Sequence, residues 1–327
     1  MPLPRWSLSL VLLAALLPAQ QTIHVDVHLV NVGFSVRDAE GKLVTNLTQD
    51  DFEVFEDGAP QKISFFARSL DVPLKLGLLM DVSGSQDSFV KPHLKDLQTF
   101  LKNVLGPNDQ AFMLCFGNHL RLASDFSNSP RHLTEALELF HKGKIESPEI
   151  GPKEVRILGT AFYDAIYYSA TRLLANAEGG RKALIIFSDG EDNSSAHHMM
   201  EAIEASQSND VLLFAVRYTE EKNGRLNARN KYGISVMERI ARETGGADYD
   251  ARAKGLKENF QQIGDQLRSS YELAYHSTDP SIDGTFRKIG SRLNRPASQC
   301  APRVAITPIN FPSPRNTPPR RGFVLTR

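Results

Sequence analysis

Between residues 72 and 269 the chain repeats one rhythm, a short and almost unbroken apolar run followed by a longer amphipathic stretch. The runs cover 74–80, 111–116, 183–187 and 211–216. The stretches cover 89–105, 131–140, 160–175, 196–206, 236–244 and 256–267. Strands that read as continuous hydrophobic runs are buried on both faces, and a parallel sheet covered by helices provides that environment. Strand–helix alternation also demands right-handed crossovers, which leaves few topologies. The expectation is an α/β domain over 71–269, a doubly wound, Rossmann-like and mostly parallel sheet. Ser129-Pro130 marks one helix start as a cap followed by proline, and Gly245-Gly246 marks a helix end.

The flanks have a different period. In 20–70, Ile23, Val25, Val27 and Leu29 alternate, then Val30, Val32, Phe34 and Val36 alternate on the other parity, a change that suggests a bulge near Leu29-Val30. Asp38 to Gly41 reads as a turn. Strands are expected at 51–55 and 63–66, with Asp57-Gly58 as a hairpin signal between them. Strands at 271–275 and 285–289 follow the α/β region. A three-strand N-terminal sheet alone would leave an apolar face uncovered, so 20–70 and 270–295 are expected to pack as one β-sandwich-like domain.

Composition excludes several classes. At 41% hydrophobic, a 327-residue chain has material for a buried core and is not disordered throughout. Lys and Arg total 38, as do Asp and Glu, so formal net charge is zero and a nucleic-acid binder is not expected. The basic excess is confined to the end. Residues 296–327, rich in proline and arginine, read as a disordered tail whose Arg315, Arg320 and Arg321 offer at most weak contact with anionic surfaces. Residues 1–19 have Arg5 ahead of an apolar stretch at 8–17 and a small-residue break at Pro18-Ala19, a signal peptide cleaved near Ala19 and too short to span a bilayer. The expected location is periplasmic, cell-envelope or secreted. Cys115 sits in an apolar run and Cys300 in the tail, and no disulfide is assigned.

The chemistry concentrates where the first apolar run ends, in Asp81-Val82-Ser83-Gly84-Ser85. Loops at the carboxyl ends of strands line the ligand crevice of a doubly wound sheet. Asp-x-Ser-x-Ser places one carboxylate and two hydroxyls on one loop. Hard oxygen donors suit Mg²⁺, Mn²⁺ or Ca²⁺, whereas zinc favours His and Cys. Gly159-Thr160 sets a hydroxyl at a helix start, and Asp189-Gly190 follows another buried run at the same edge.

Those three pieces, in that order, resemble the von Willebrand factor type A (VWA) domain. The segments 76–85, 159–167, 182–193 and 271–289, with the Leu-Thr-x-x-Asp-Phe-Glu-Val-Phe-Glu-Asp-Gly run that opens at Leu47, are similar to its exported VWFA-related Acidobacterial domain subfamily. The resemblance covers about residues 22–290. It implies a metal-ion-dependent adhesion site with Ser83 and Ser85 as direct ligands. Thr160 would bind directly or through water, and Asp81 and Asp189 would hold waters or the ion. Gln86 stands where the family commonly has Met. The implied partner is a protein presenting an Asp or Glu carboxylate to the ion. The resemblance stops near Arg295, where a further strand is expected, and a shifted frame or divergent terminus would leave the C-terminal sheet one strand short.

Simpler roles compete at each position. Ser83, Ser85 and Thr160 could cap helices, Asp189 could be a turn residue, and Glu191-Asp192 reads as a solvated loop. His197 and Glu201 stand four apart, but two ligands without a third read as an exposed helix start. No Gly-x-Ser-x-Gly elbow, Walker A loop or His-Glu-x-x-His helix occurs, so the expectation is a binding protein and not an enzyme. The alternatives are a structural envelope protein with a vestigial metal site and a metal-dependent hydrolase.

Overall fold

The computed structural model describes residues 29–37, 44–69, 72–151, 159–219, 225–253, 255–268, 270–279, 289–293 and 305–310. The expected signal peptide, the turn at 38–41, Cys300 and the tail arginines lie outside them. No helix among the described residues is long and apolar enough to cross a membrane.

The chain opens with β1 (Leu29–Arg37), β2 (Phe52–Glu56), β3 (Ala59–Gln61) and β4 (Ile63–Ser69). The α/β region follows as β5 (Leu74–Asp81), α1 (Val90–Val104), β6 (Gln110–Phe116), β7 (Leu120–Ser127), α2 (Pro130–His141), α3 (Phe162–Tyr168), β8 (Arg181–Ser188), α4 (Met199–Ser208), β9 (Val211–Arg217), α5 (Ala228–Glu243), β10 (Asp248–Asp250) and α6 (Leu256–Arg268). Among the described residues that follow are β11 (Ser270–His276), β12 (Ile289–Leu293) and β13 (Ala305–Asn310).

The central sheet runs β10-β9-β8-β5-β6-β7. Every neighbouring pair is parallel except β6–β7. The apolar runs are continuous because each strand feeds two cores. Leu76, Leu78 and Met80 of β5, with Ile185 and Phe187 of β8, face α1 and α6. Leu79, Leu184 and Ile186 face α3, α4 and α5. This is the α/β, Rossmann-like architecture. The two edge strands have no counterpart in the sequence reading. β7 alternates weakly and β10 has only three residues, so neither makes an apolar run.

Helix bounds differ most where polarity hides the period. α5 begins eight residues before the expected 236, because its first two turns are exposed, and Asn227 caps them by accepting from the Asn230 N–H at 2.7 Å. The stretch expected as one helix over 160–175 is α3 followed by a π-turn at Ser169–Leu174.

The flanking strands assemble from both ends of the chain. One sheet runs β13-β1-β11-β4 and a second runs β12-β2-β3. Asp57 and Gly58 both take positive φ, +48° and +86°, the backbone a tight hairpin turn requires. That turn joins β2 to β3 and not to 63–66, which belongs to the other sheet as β4. Of the last expected strand, 285–289, only Ile289 is among the described residues, and it opens β12.

The tail needs a correction. Residues 305–310, expected as disordered, form β13 and pair antiparallel with β1, so β1 does not lack a neighbour on that side. Proline obscured this strand. Pro308 has no N–H for a ladder, and such a residue is tolerated at a sheet edge, where β13 lies.

Between the sheets, Phe34, Phe52, Phe66 and Tyr271 form an aromatic cluster with ring centroids 5.0–5.7 Å apart. The Tyr271 hydroxyl accepts from the Leu47 N–H and donates to Val44 O, both at 2.9 Å, pinning the 44–48 segment over the core. Replacing Tyr271 with Phe keeps the ring and strands a buried N–H. The expected loss is about 1–3 kcal/mol of unfolding free energy, checked by urea titration.

Candidate functional site

Chain order and sheet order together locate a crevice. From β5 the chain moves to β6 on one side, and it later crosses to β8 on the other. Such a switch point opens a crevice outside the carboxyl ends of the two central strands. β5 ends at Asp81 and β8 at Ser188, with Met80 opposite Phe187 in the parallel register.

Four of the five expected residues meet there as two hydrogen-bonded serine–aspartate pairs whose hydroxyl oxygens touch. Ser188 Oγ donates to Asp81 Oδ2 at 2.5 Å. Asp81 Oδ1 accepts from the Ser83 backbone N–H at 2.9 Å and from Ser83 Oγ at 2.6 Å. Ser83 Oγ lies 3.2 Å from Ser85 Oγ, and Ser85 Oγ donates to Asp189 Oδ2 at 2.7 Å. The span from Ser85 to Asp189 crosses the crevice between two loops distant in sequence.

The fifth residue, Thr160, reaches the same rim by backbone contacts. Its N–H donates to Asn193 Oδ1 at 2.7 Å, and its carbonyl accepts from the N–H groups of Asn193 and Ser194. Ala161 N–H donates to Gly117 O at 2.8 Å, and Gly117 lies against the backbone of Ser83. No hydrogen bond joins the Thr160 hydroxyl to the serine–aspartate pairs among the described residues.

The simpler roles fare unevenly. Ser83 precedes the 3₁₀ turn Gly84–Phe89, yet its hydroxyl makes no capping bond and turns to Asp81 instead. The α3 terminus is capped by Asp192, whose Oδ1 accepts from Phe162 N–H at 2.9 Å and Tyr163 N–H at 3.3 Å. Asp192 is therefore an internal cap and not part of a solvated loop, and Glu191 beside it pairs with Arg229 at 2.7 Å. Asp189 does two jobs. Oδ1 closes a local turn by accepting from Glu191 N–H at 3.1 Å, while Oδ2 faces Ser85. His197 stacks on Tyr167 at 3.6 Å, and its Nδ1 lies 2.7 Å from Asp164 Oδ1. Glu201 accepts from the His198 N–H at 2.7 Å, so the two residues are spent on structure.

Four residues take roles that the sequence did not disclose. Gln86 is buried and donates from Nε2 to Asp189 Oδ2 at 2.9 Å and to Tyr218 O at 3.3 Å. Ser188 looked like the end of a strand, and only its place beside Asp81 reveals its role. Gly190 and Gly233 allow α5 to touch the rim by backbone alone. A Cβ added at Gly233 would sit 2.3 Å from Asp189 O, and one at Gly190, where φ is +77°, 2.5 Å from Gly233 O.

Electrostatics sharpen the picture. Burial, with the Asp189 charge second, pushes the Asp81 carboxyl from its ordinary 3.8 up to about 7. Two carboxylates and three serine hydroxyls at one edge form an all-oxygen donor set, the kind a hard divalent cation takes. Among the described residues no group of three or more His, Cys, Asp and Glu side chains could hold a metal, so any ion here would depend on hydroxyl oxygens.

No protein-family profile matches the sequence, and no curated protein matches it. Solved structures do show likeness. An aerotolerance-related membrane protein from Bacteroides fragilis is 17% identical over 59% of this chain and 98% of its own, with a TM-score of 0.45. Proximal thread matrix protein 1 from the mussel byssus, with a zinc-occupied MIDAS motif, is 14% identical over 64% of this chain and 49% of its own, at 0.45. The vWF domain of the type V pili tip protein Mfa5 from Porphyromonas gingivalis is 18% identical over 37% of this chain and 39% of its own, at 0.30. The α/β class of this chain rests on its own sheet order.

Two outcomes are expected. Gly233→Ala should drive α5 off the Asp189 turn and lower stability by about 1–3 kcal/mol, measured by urea unfolding. Asp81 holds a proton in the folded protein between its unfolded value of 3.8 and its folded value of about 7. Its share of stability is full below the lower value and is lost as pH rises through the upper one. In chelator, the unfolding free energy should therefore drop between about pH 4 and pH 7, and Asp81→Asn should flatten that drop.

Proposed function

We propose that this chain is an exported VWA-type binding protein whose rim holds a divalent cation and engages a protein partner through a carboxylate. The reading is carried by two adjoining pairs, Ser83 with Asp81 and Ser85 with Asp189, whose hydroxyl oxygens lie 3.2 Å apart at the switch point of the sheet. Ser83 and Ser85 would hold the ion directly. Thr160 would bind it directly or through water, and Asp81 and Asp189 would hold the ion or its waters. The family resemblance and the signal-like residues 1–19 support the exported part of the reading.

The donor chemistry selects Mg²⁺, with Mn²⁺ or Ca²⁺ as substitutes. A bound ion of this class supplies positive charge at the rim and an exchangeable water position. The chain's own part is to keep that charge from being cancelled. Asp81 is protected by two serine hydroxyls, Asp189 is shared among Ser85, Gln86 and a local turn, and most remaining donors are neutral. A partner Asp or Glu side chain completes such a site. The role in this reading is recognition and not catalysis.

The test is divalent-ion titration by calorimetry. Wild-type protein should bind Mg²⁺ or Mn²⁺, and the double variant Ser83→Ala with Ser85→Ala should lose about tenfold or more in affinity, the scale on which removing a direct or supporting oxygen ligand acts. Unchanged affinity overturns the assignment of the ion to this rim.

A further inference from the structure

A cavity of about 200 Å³ opens beside the serine–aspartate pairs, and it is not lined like the rest of the rim. Ser85 and Asp189 form one wall. Glu191, Arg225, Arg229 and Asn230 form the other, drawn from the loop after β8 and from the α5 terminus that the sequence reading left outside a helix. We propose that this cavity receives a second carboxylate from the same protein partner, so that the site recognises a pair of neighbouring acidic side chains. The inference rests on the metal-dependent reading above and adds the specificity of the partner to it.

Charge is the first argument. Asp189 and Glu191 carry two formal negative charges at the cavity, and Arg225 and Arg229 carry two positive ones. A divalent cation held by Ser83 and Ser85 would tip this balance positive. The cavity would then favour an anion only when the rim is loaded, and the two acceptors would act together.

Donor geometry is the second. An arginine guanidinium carries five N–H donors in a planar fork matched to a carboxylate. Arg229 meets Glu191 Oε2 through Nε at 2.7 Å, which steadies the side chain at the cavity wall. Arg225 is exposed and makes no ion pair among the described residues. Gly233 lets the α5 terminus close against the Asp189 turn, so Arg229 sits on an element packed against the rim.

Reach is the third. Ser85 and Asp189 belong both to the proposed ion site and to the cavity wall, so the two acceptors adjoin. In an extended peptide, side chains two residues apart share a face and lie about 7 Å from each other. A partner segment with acidic residues at such spacing would satisfy both acceptors.

The experiment compares two capped peptides, acetyl-Gly-Asp-Gly-Glu-Gly-amide and acetyl-Gly-Asp-Gly-Gln-Gly-amide, titrated into the full chain by NMR with saturating Mg²⁺ and again with chelator. Wild-type protein should bind the two-carboxylate peptide about tenfold more tightly, and only with Mg²⁺. The double variant Arg225→Gln with Arg229→Gln should bind both peptides equally while its Mg²⁺ affinity by calorimetry is unchanged. Equal binding of the two peptides by Mg²⁺-loaded wild type overturns the second-carboxylate assignment and leaves the ion site standing. A preference that survives in the double variant overturns the role of the arginines. Absence of Mg²⁺ binding by wild-type protein overturns the ion site and this inference with it.

Discussion

Two carboxylates at the ends of adjacent parallel strands, with little water around them, repel each other, and the rim is arranged around that conflict. Asp81 is buried at the end of β5, and Asp189 follows β8, the strand paired directly with it. Serine hydroxyls and the Gln86 amide lie between them, yet burial first, and the Asp189 charge second, still raises the Asp81 carboxyl. Much of the local backbone serves the same end. The Ser83 N–H turns toward Asp81, the Glu191 N–H turns toward Asp189, and α5 is admitted to the turn only by two glycines in contact.

The opposite end of the sheet solves a different problem. Both connections to the β-domain leave there, at the start of β5 and at the end of α6. Asp109 accepts from the Leu74 N–H at 2.8 Å and pairs with Arg268, while Arg181 donates to Leu267 O and its N–H to Pro73 O. A buried acid and two arginines thus tie the last turn of α6 to the entry of the first strand. Removing Arg268 would take the partner cation from the buried Asp109 carboxylate, which is costly in a low-dielectric interior. β11 then continues from α6 into the centre of a sheet whose other strands come from both chain ends. The N-terminal and C-terminal segments close one core around Phe34, Phe52 and Tyr271.

Legibility in the sequence tracked burial. β5, β6, β8 and β9 stood out as apolar runs because each feeds two cores, and their expected bounds lie within two residues of the observed ones. The elements that escaped are those whose sequence signal is weak. β7 and β10 are edge strands, the first turns of α5 are polar, and β13 carries a proline. The site divided in the same way. Asp81, Ser83, Ser85, Thr160 and Asp189 could be named because each sits at the end of a legible strand or the start of a legible helix.

The sequence by itself determined the layered class of the fold and the oxygen character of the candidate loops, because periodicity and residue chemistry are local properties. Only the tertiary structure decided which partner each oxygen takes. Ser188 and Gln86 joined the candidate site, Asp192 became a helix cap, and Arg229 came to pair with Glu191. Those outcomes depend on strand order and on a glycine-permitted approach between segments dozens of residues apart, and no window along the chain contains both sides of such a contact.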